Sequence, residues 1–236
     1  MSLAYKLTSS IIYPYVVIRN KHGKVIGPRK HMHWKHDIKD MAPTSRDIMN
    51  KLQYKSIAAA VIVSDCNAKN NRSEIIKSLK EELLLYGEKL DIYGGCSFAN
   101  LKCPRAQGER DGVINGCSSE IESNYYFYLA FESSHCEDYV SEKLLHALIH
   151  FAVPVVYGGA NYTRFMPDGM YLNARTLGVK KLAEEMSSII SNPQRYIDFF
   201  KWHGYYTFYD SHRLDSNDTY FICNVCTKLN KRIQEI

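Results

Sequence analysis

The residues best placed to do chemistry lie between Phe127 and Gly158, in the run FYLAFESSHCEDYVSEKLLHALIHFAVPVVYG, where a polar, acidic loop is framed by apolar stretches. Ser141, Glu142 and Lys143 stand together where that loop gives way to a helical pattern. Ser141 can cap the helix, and the free backbone N–H groups of the first turn, together with the helix dipole, favour an anion. A lysine at that point suits a phosphate. The same residues also suit an ordinary capped helix carrying a solvated Glu-Lys pair, and only structural context separates the two. A second cation, Arg72, ends the loop SDCNAKNNR, directly after another apolar run. Its guanidinium can grip two phosphate oxygens at once.

These groups need elements to position them. Residues 128–131 and 153–157 read as short buried strands, and Leu144, Leu145, Leu148 and Phe151 recur between them at helical spacing. That is a βαβ unit, with parallel strands and a right-handed crossover. Ligands of such units collect outside the carboxyl ends of the strands, where residues 132–141 fall. Upstream, 58–63 is a first strand, Ile75, Ile76, Leu79 and Leu83 make the apolar stripe of a first helix, and 90–93 is a strand stopped by Gly94 and Gly95. Downstream, Tyr171 and Leu172 form a short strand, 179–191 is helical and Pro193 opens a further helix. The expected fold is an α/β, Rossmann-like parallel-sheet domain over residues 57–236. Residues 1–56, punctuated by Pro14, Pro28 and Pro43, read as an extended connecting region.

At 236 residues and 45% hydrophobic content, the chain can bury a sizeable core. The formal charge of +5 is modest, and the lysines and arginines read as scattered among acids, which argues against nucleic acid as a partner. No run approaches the roughly 20 apolar residues that span a bilayer, and Met1 does not open a signal peptide. His31 and His33 would share one side of a strand, with His36 close by. Lys30 and Lys35 would repel a metal ion there, so these read as solvated surface histidines. The seven cysteines can pair in an oxidising compartment with one left over, matched by a partner outside this sequence or left as a buried free thiol such as Cys66. Cys223 and Cys226 form a C-x-x-C without two further zinc ligands nearby.

The segments FYLAFESS, DYVSEK and VPVVYG resemble the signature of the α-1,3-fucosyltransferases. The likeness extends from YKLTSSIIYPY through VIVSDCNAKNNR, DIYGGC and LKCPR to GGANYTRFMP and FKWHGYY. The resemblance implies a GT-B enzyme of two Rossmann-like domains, of which this chain is the C-terminal, donor-binding half. Residues 1–56 would be the interdomain connection and 57–236 the GDP-fucose-binding domain. The implied reaction moves fucose with inversion from GDP-fucose to an N-acetylglucosamine of a glycan, with no required cofactor and a divalent metal optional. Arg72 and Lys143 would be the catalytic cations on the diphosphate. Asn67, Glu132, Ser133, Tyr139, Ser141 and Glu142 would bind the donor, Glu142 through the ribose and Glu132 near the fucose or its acceptor. The general base would belong to the other domain.

The resemblance further implies a Golgi-lumenal, type II membrane protein whose N-terminal anchor is absent here, and a disulfide between Cys223 and Cys226. Ser133 stands where the family has asparagine, and Ser141 where it has threonine. Sequons occur at Asn71, Asn161 and Asn217, and a glycan at Asn71 would crowd a donor held by Arg72. A non-catalytic module that binds a GDP-sugar is the competing expectation.

Overall fold

The structure, a computed structural model, describes residues 2–103, 117–211 and 225–226. A short parallel pair, β1 (Leu3–Ala4) and β2 (Ile11–Ile12), leads into an antiparallel hairpin of β3 (Val16–Asn20) and β4 (Val25–Gly27) and then a helix, α1 (Arg46–Leu52). The alternating part follows: β5 (Ile57–Val63), α2 (Arg72–Leu84), β6 (Leu90–Gly94), α3 (Ser118–Asn124), β7 (Tyr125–Phe131), α4 (Glu142–Ile149), β8 (Val153–Tyr157) and β9 (Leu172–Asn173). Three helices, α5 (Ala174–Leu177), α6 (Val179–Ile190) and α7 (Pro193–Asp198), precede a last strand, β10 (Tyr206–Asp210).

β5 to β9 form one wholly parallel sheet in the order β6-β5-β7-β8-β9. Its strands are apolar almost throughout because both faces are covered, as parallel sheets require. Within β5, Ala59, Val61 and Val63 face a core closed by Ile76, Leu79 and Leu83 of α2 and Leu182, Met186 and Ile189 of α6. Ala60 and Ile62 face the opposite core, closed by Leu144, Leu145 and Leu148 of α4 and by Val16, Ile18 and Phe208. The period-2 alternation of one strand thus serves two cores. The expected Rossmann-like α/β sheet is present, with each predicted strand within a few residues of its place.

Residues 1–56 differ from expectation. They are not extended throughout: β3 pairs antiparallel with β10 from Tyr206↔Asn20 to Asp210↔Val16, making a three-stranded sheet β10-β3-β4. No local signal announces a pairing between segments about 190 residues apart; the strands become stable only because α4 offers them an apolar face. His31 and His33 also lie in a loop after β4 rather than in a strand.

Cys66 is not a free thiol. It is bridged to Cys96, because parallel β5 and β6 deliver their following loops side by side, with the two Cα atoms 5.4 Å apart. A second bridge joins Cys103 and Cys117. Cys136 and Cys226 carry free, exposed thiols, and Cys223, the expected partner of Cys226, lies outside the described residues, as does Asn217.

Candidate functional site

The strand order reverses between β5 and β7: the chain leaves β5 toward one edge of the sheet and β7 toward the other. The crevice outside their carboxyl ends is where open α/β sheets take ligands. Arg72 spans it. Preceded by Asn71 in the left-handed region (φ 59°), its side chain folds back under the first turn of α2 and is 3% exposed. Its Nη1 donates to the Phe131 carbonyl at 3.1 Å, at the end of β7, and Nη2 to the Asp65 carbonyl at 2.8 Å, just past β5. Strand-end carbonyls at a split in the ladder have no neighbouring strand to pair with, and a buried guanidinium satisfies two of them. Nε is buried with no hydrogen-bond partner. Arg72 therefore first serves as a cross-link, where the sequence suggested a guanidinium facing outward at a helix mouth.

Asn70, which sequence reasoning missed, adds a second tie. Its Nδ2 donates to the Glu132 carbonyl at 2.7 Å, and its own carbonyl accepts from the Tyr157 hydroxyl at 2.7 Å.

Glu132 follows β7 directly and is 1% exposed. Its Oε1 accepts from the Ser141 backbone N–H at 2.7 Å, and the Ser141 hydroxyl lies 3.0 and 2.8 Å from its two oxygens. That hydroxyl has one proton to give, and it accepts in turn from Lys143 Nζ at 2.8 Å. Lys143, with its side chain 18% exposed, also meets Glu142 Oε1 at 3.2 Å and Glu132 Oε2 at 3.4 Å. Ser141 caps α4 as predicted, accepting from the Lys143 N–H at 3.5 Å.

Burial raises the Glu132 pKa, against the pull of Lys143 and the Ser141 donors, and the balance stays above the ordinary carboxylate value. Lys143 is disfavoured as a cation by burial, but Glu132 and Glu142 outweigh that and raise its pKa. Glu142 is pushed down: burial opposes its charge, and Lys143 more than compensates. The knot is an ion pair with one spare carboxylate at its rim.

Two glycines let the loops close over this knot. A Cβ on Gly158 would lie 2.4 Å from the Tyr162 hydroxyl and 3.3 Å from Glu132 Cγ, and one on Gly159 would lie 2.5 Å from the His135 carbonyl carbon. The loop 133–139 then presents Asp138, also at φ 59°, whose Oδ2 accepts from the Leu7 N–H at 3.1 Å and whose Oδ1 accepts from Arg164 Nη1 at 2.6 Å. Tyr139 packs edge-on against Tyr5 and Tyr15, with ring centroids 5.3 and 6.4 Å away, so the N-terminal segment forms one wall of the site. Asp138, Arg164 and Arg175, the last bonded to the Gly158 carbonyl at 2.9 Å, all escaped sequence reasoning. For Asp138 and Arg164 the signal was membership of the DYVSEK and GGANYTRFMP segments; Arg175 carried none.

Glu132, Tyr139, Ser141, Glu142 and Lys143 thus come together, with Ser133 half-buried beside Tyr139. Asn67 stands apart, exposed, its N–H on Asp65 Oδ1 at 3.1 Å. Among the described residues no three His, Cys, Asp or Glu side chains form a metal-binding group, and no helix is long and apolar enough to cross a membrane.

A doubly wound parallel sheet with a half-buried lysine at a helix N-terminus beside its switch point has the architecture of a Rossmann-like domain. The chain belongs to glycosyltransferase family 10, the fucosyltransferases, whose C-terminal part is matched by residues 52–236. It is 30% identical over 232 residues to Alpha-(1,3)-fucosyltransferase C of Drosophila melanogaster, covering 98% of this chain and 49% of that protein. It is 31% identical over 184 residues to Glycoprotein 3-alpha-L-fucosyltransferase A of the same organism, covering 76% and 32% respectively. Among solved structures, an alpha1,3-fucosyltransferase with GDP-fucose aligns over 75% of this chain and 48% of its own, with 17% identity and a TM-score of 0.49. The chain spans about half, or less, of the length of these relatives.

Proposed function

We propose that this chain is the donor-binding half of an inverting α-1,3-fucosyltransferase of GT-B type, which moves fucose from GDP-fucose to an N-acetylglucosamine of a glycan. The observation that carries the reading is the Lys143–Ser141–Glu132 knot beside the sheet's switch point, in a member of the fucosyltransferase family. As the glycosidic bond breaks, negative charge grows on the departing diphosphate, and a cation already fixed there stabilises that state more than the ground state.

Lys143 is that cation. Arg72 is the second: its five N–H donors exceed the two carbonyls it serves. With both in place a divalent metal is optional. Glu142 takes the ribose hydroxyls, Tyr139 lines the nucleotide pocket, and Asn67, Ser133 and Ser141 shape the donor loop. Glu132 is a positioning residue in this scheme, since Ser141 and Lys143 occupy its oxygens. The Cys66–Cys96 and Cys103–Cys117 bridges support an oxidising compartment, here the Golgi lumen, with the full-length protein anchored as a type II membrane protein.

Calorimetric titration with GDP and GDP-fucose tests the site. Binding of both, weakened in Lys143→Ala, is expected; a folded chain that binds neither refutes the assignment. Incubated with GDP-fucose and N-glycan acceptors, this chain alone should transfer little fucose, because a positioned base contributes about 10²–10⁴-fold. Turnover matching a full-length relative would move the base to a residue here.

The engagement of Arg72 by two carbonyls favours one second reading, a non-catalytic module that binds a GDP-sugar. An inactive full-length protein that still binds GDP would select it.

A further inference from the structure

The scattered charge read from the whole chain does not hold between residues 19 and 36. That segment, RNKHGKVIGPRKHMHWKH, carries six lysines and arginines and four of the nine histidines, with no acidic residue. Without those six charges the formal charge of the chain falls from +5 to −1, so the net positive charge of the protein resides there. None of these residues belongs to the switch-point site.

The fold turns this segment into a cavity of about 310 Å³. The β3–β4 turn contributes Lys21 and His22, and the loop after β4 contributes Arg29, His31, His33, Lys35 and His36; among the described residues no carboxylate lines the space. Its floor is apolar and aromatic, made by Ile26, Met32, Tyr205 and Tyr206. The walls are held in place. Asn20 Oδ1 accepts from the N–H groups of His22 and Lys24 at 3.0 and 3.1 Å, which sets the turn. Trp34 Nε1 donates to the Thr163 carbonyl at 2.7 Å, and its ring stands edge-on to Tyr206, which ties the loop to the sheet domain. His36 packs against the Tyr205 ring, centroids 5.0 Å apart.

We propose that this cavity is a binding site for an acidic sugar, a ring of monosaccharide size bearing a carboxylate or sulfate group. The volume, at the small end of ligand pockets, suits a single sugar ring. The aromatic and aliphatic floor suits the C–H face of a pyranose, and the cationic rim suits one anionic substituent, for which Arg29 offers a bidentate fork. The assignment stands independently of the donor reading, because the two sites share no residue.

The test is NMR titration of the chain with glucuronic acid, galactose 6-sulfate and neutral galactose, following the imidazole signals. Saturable binding of either acidic sugar is expected, with none for galactose, and the responding arm identifies the carboxylate or the sulfate. The double variant Arg29→Ala/Lys35→Ala, at exposed positions, should weaken that binding by about tenfold or more, as loss of a hydrogen bond to a charged group implies. Lys143→Ala should leave it unchanged. Failure of both acidic sugars to saturate, equal binding of galactose, or wild-type affinity in the double variant overturns the proposal.

Discussion

The two cationic regions of this molecule are built on opposite principles. At the switch point the charges are buried or half-buried, few and bonded on nearly every side: Arg72 to two strand-end carbonyls, Lys143 to Ser141 and two glutamates. In the 19–36 segment they are mostly exposed, the segment itself holds no acidic residue, and Lys21, Arg29 and Lys35 stand around an apolar floor. Buried charges specify geometry because an unpaired one is costly, whereas exposed charges specify sign and range through the field they sum to. Structure and ligand binding should therefore be inseparable in the first region and separable in the second.

The largest effect should follow Arg72→Ala. It leaves the buried Phe131 carbonyl and the part-buried Asp65 carbonyl without their donor; an unsatisfied buried group costs about 1–3 kcal/mol and a part-buried one less, so urea denaturation should show a loss of about 2–5 kcal/mol. An unchanged midpoint with weakened GDP binding would make Arg72 a ligand group alone.

Acid is the next lever. Burial among Phe151, Phe200 and Trp202, with Lys51 nearby, holds the His203 pKa down to about 4. Because the folded value lies below the ordinary histidine value near 6.5, the unfolded chain binds more protons between them, and stability falls as pH drops from about 6.5 toward 4. The loss is on the order of 3 kcal/mol at about 1.4 kcal/mol per pKa unit, and His203→Phe should remove it from thermal melts across that range.

Lys143→Ala should weaken GDP binding by about 1.5–3 kcal/mol and leave Glu132 buried without its cation. The folded pKa of Glu132 then rises further above its unfolded value, so the folded state binds the extra proton. The stability defect should be fullest above that window and ease as pH falls through it. Adding Glu132→Gln should recover stability without recovering GDP affinity, a separation readable by melting and calorimetry on the same samples.

The smallest effect belongs to the other region. Arg29→Ala/Lys35→Ala should shift the stability of the fold by no more than about 0.5 kcal/mol, the range for surface changes away from buried networks. A larger loss in denaturant would erase the contrast between the two regions.

Periodicity made the Rossmann-like sheet legible: β8 falls where its apolar run predicts, Pro193 opens α7, and Ser141 caps α4. These are local outcomes, set by the alternation of apolar residues and by hydrogen bonds within a few residues of a helix end. The gathering of Ser141, Glu142 and Lys143 was equally local. The partner of Cys66, the inward turn of Arg72, the tie from Asp138 to Leu7 and the pairing of β3 with β10 were not. Each joins groups that are neighbours only after the sheet has ordered its strands, and their energies depend on which carbonyls and carboxylates burial leaves without water. The basic segment shows both halves of this division. Its charge was written in residues 19–36, but its cavity exists only because β10 returns to β3 and brings Tyr205 and Tyr206 beneath those cations.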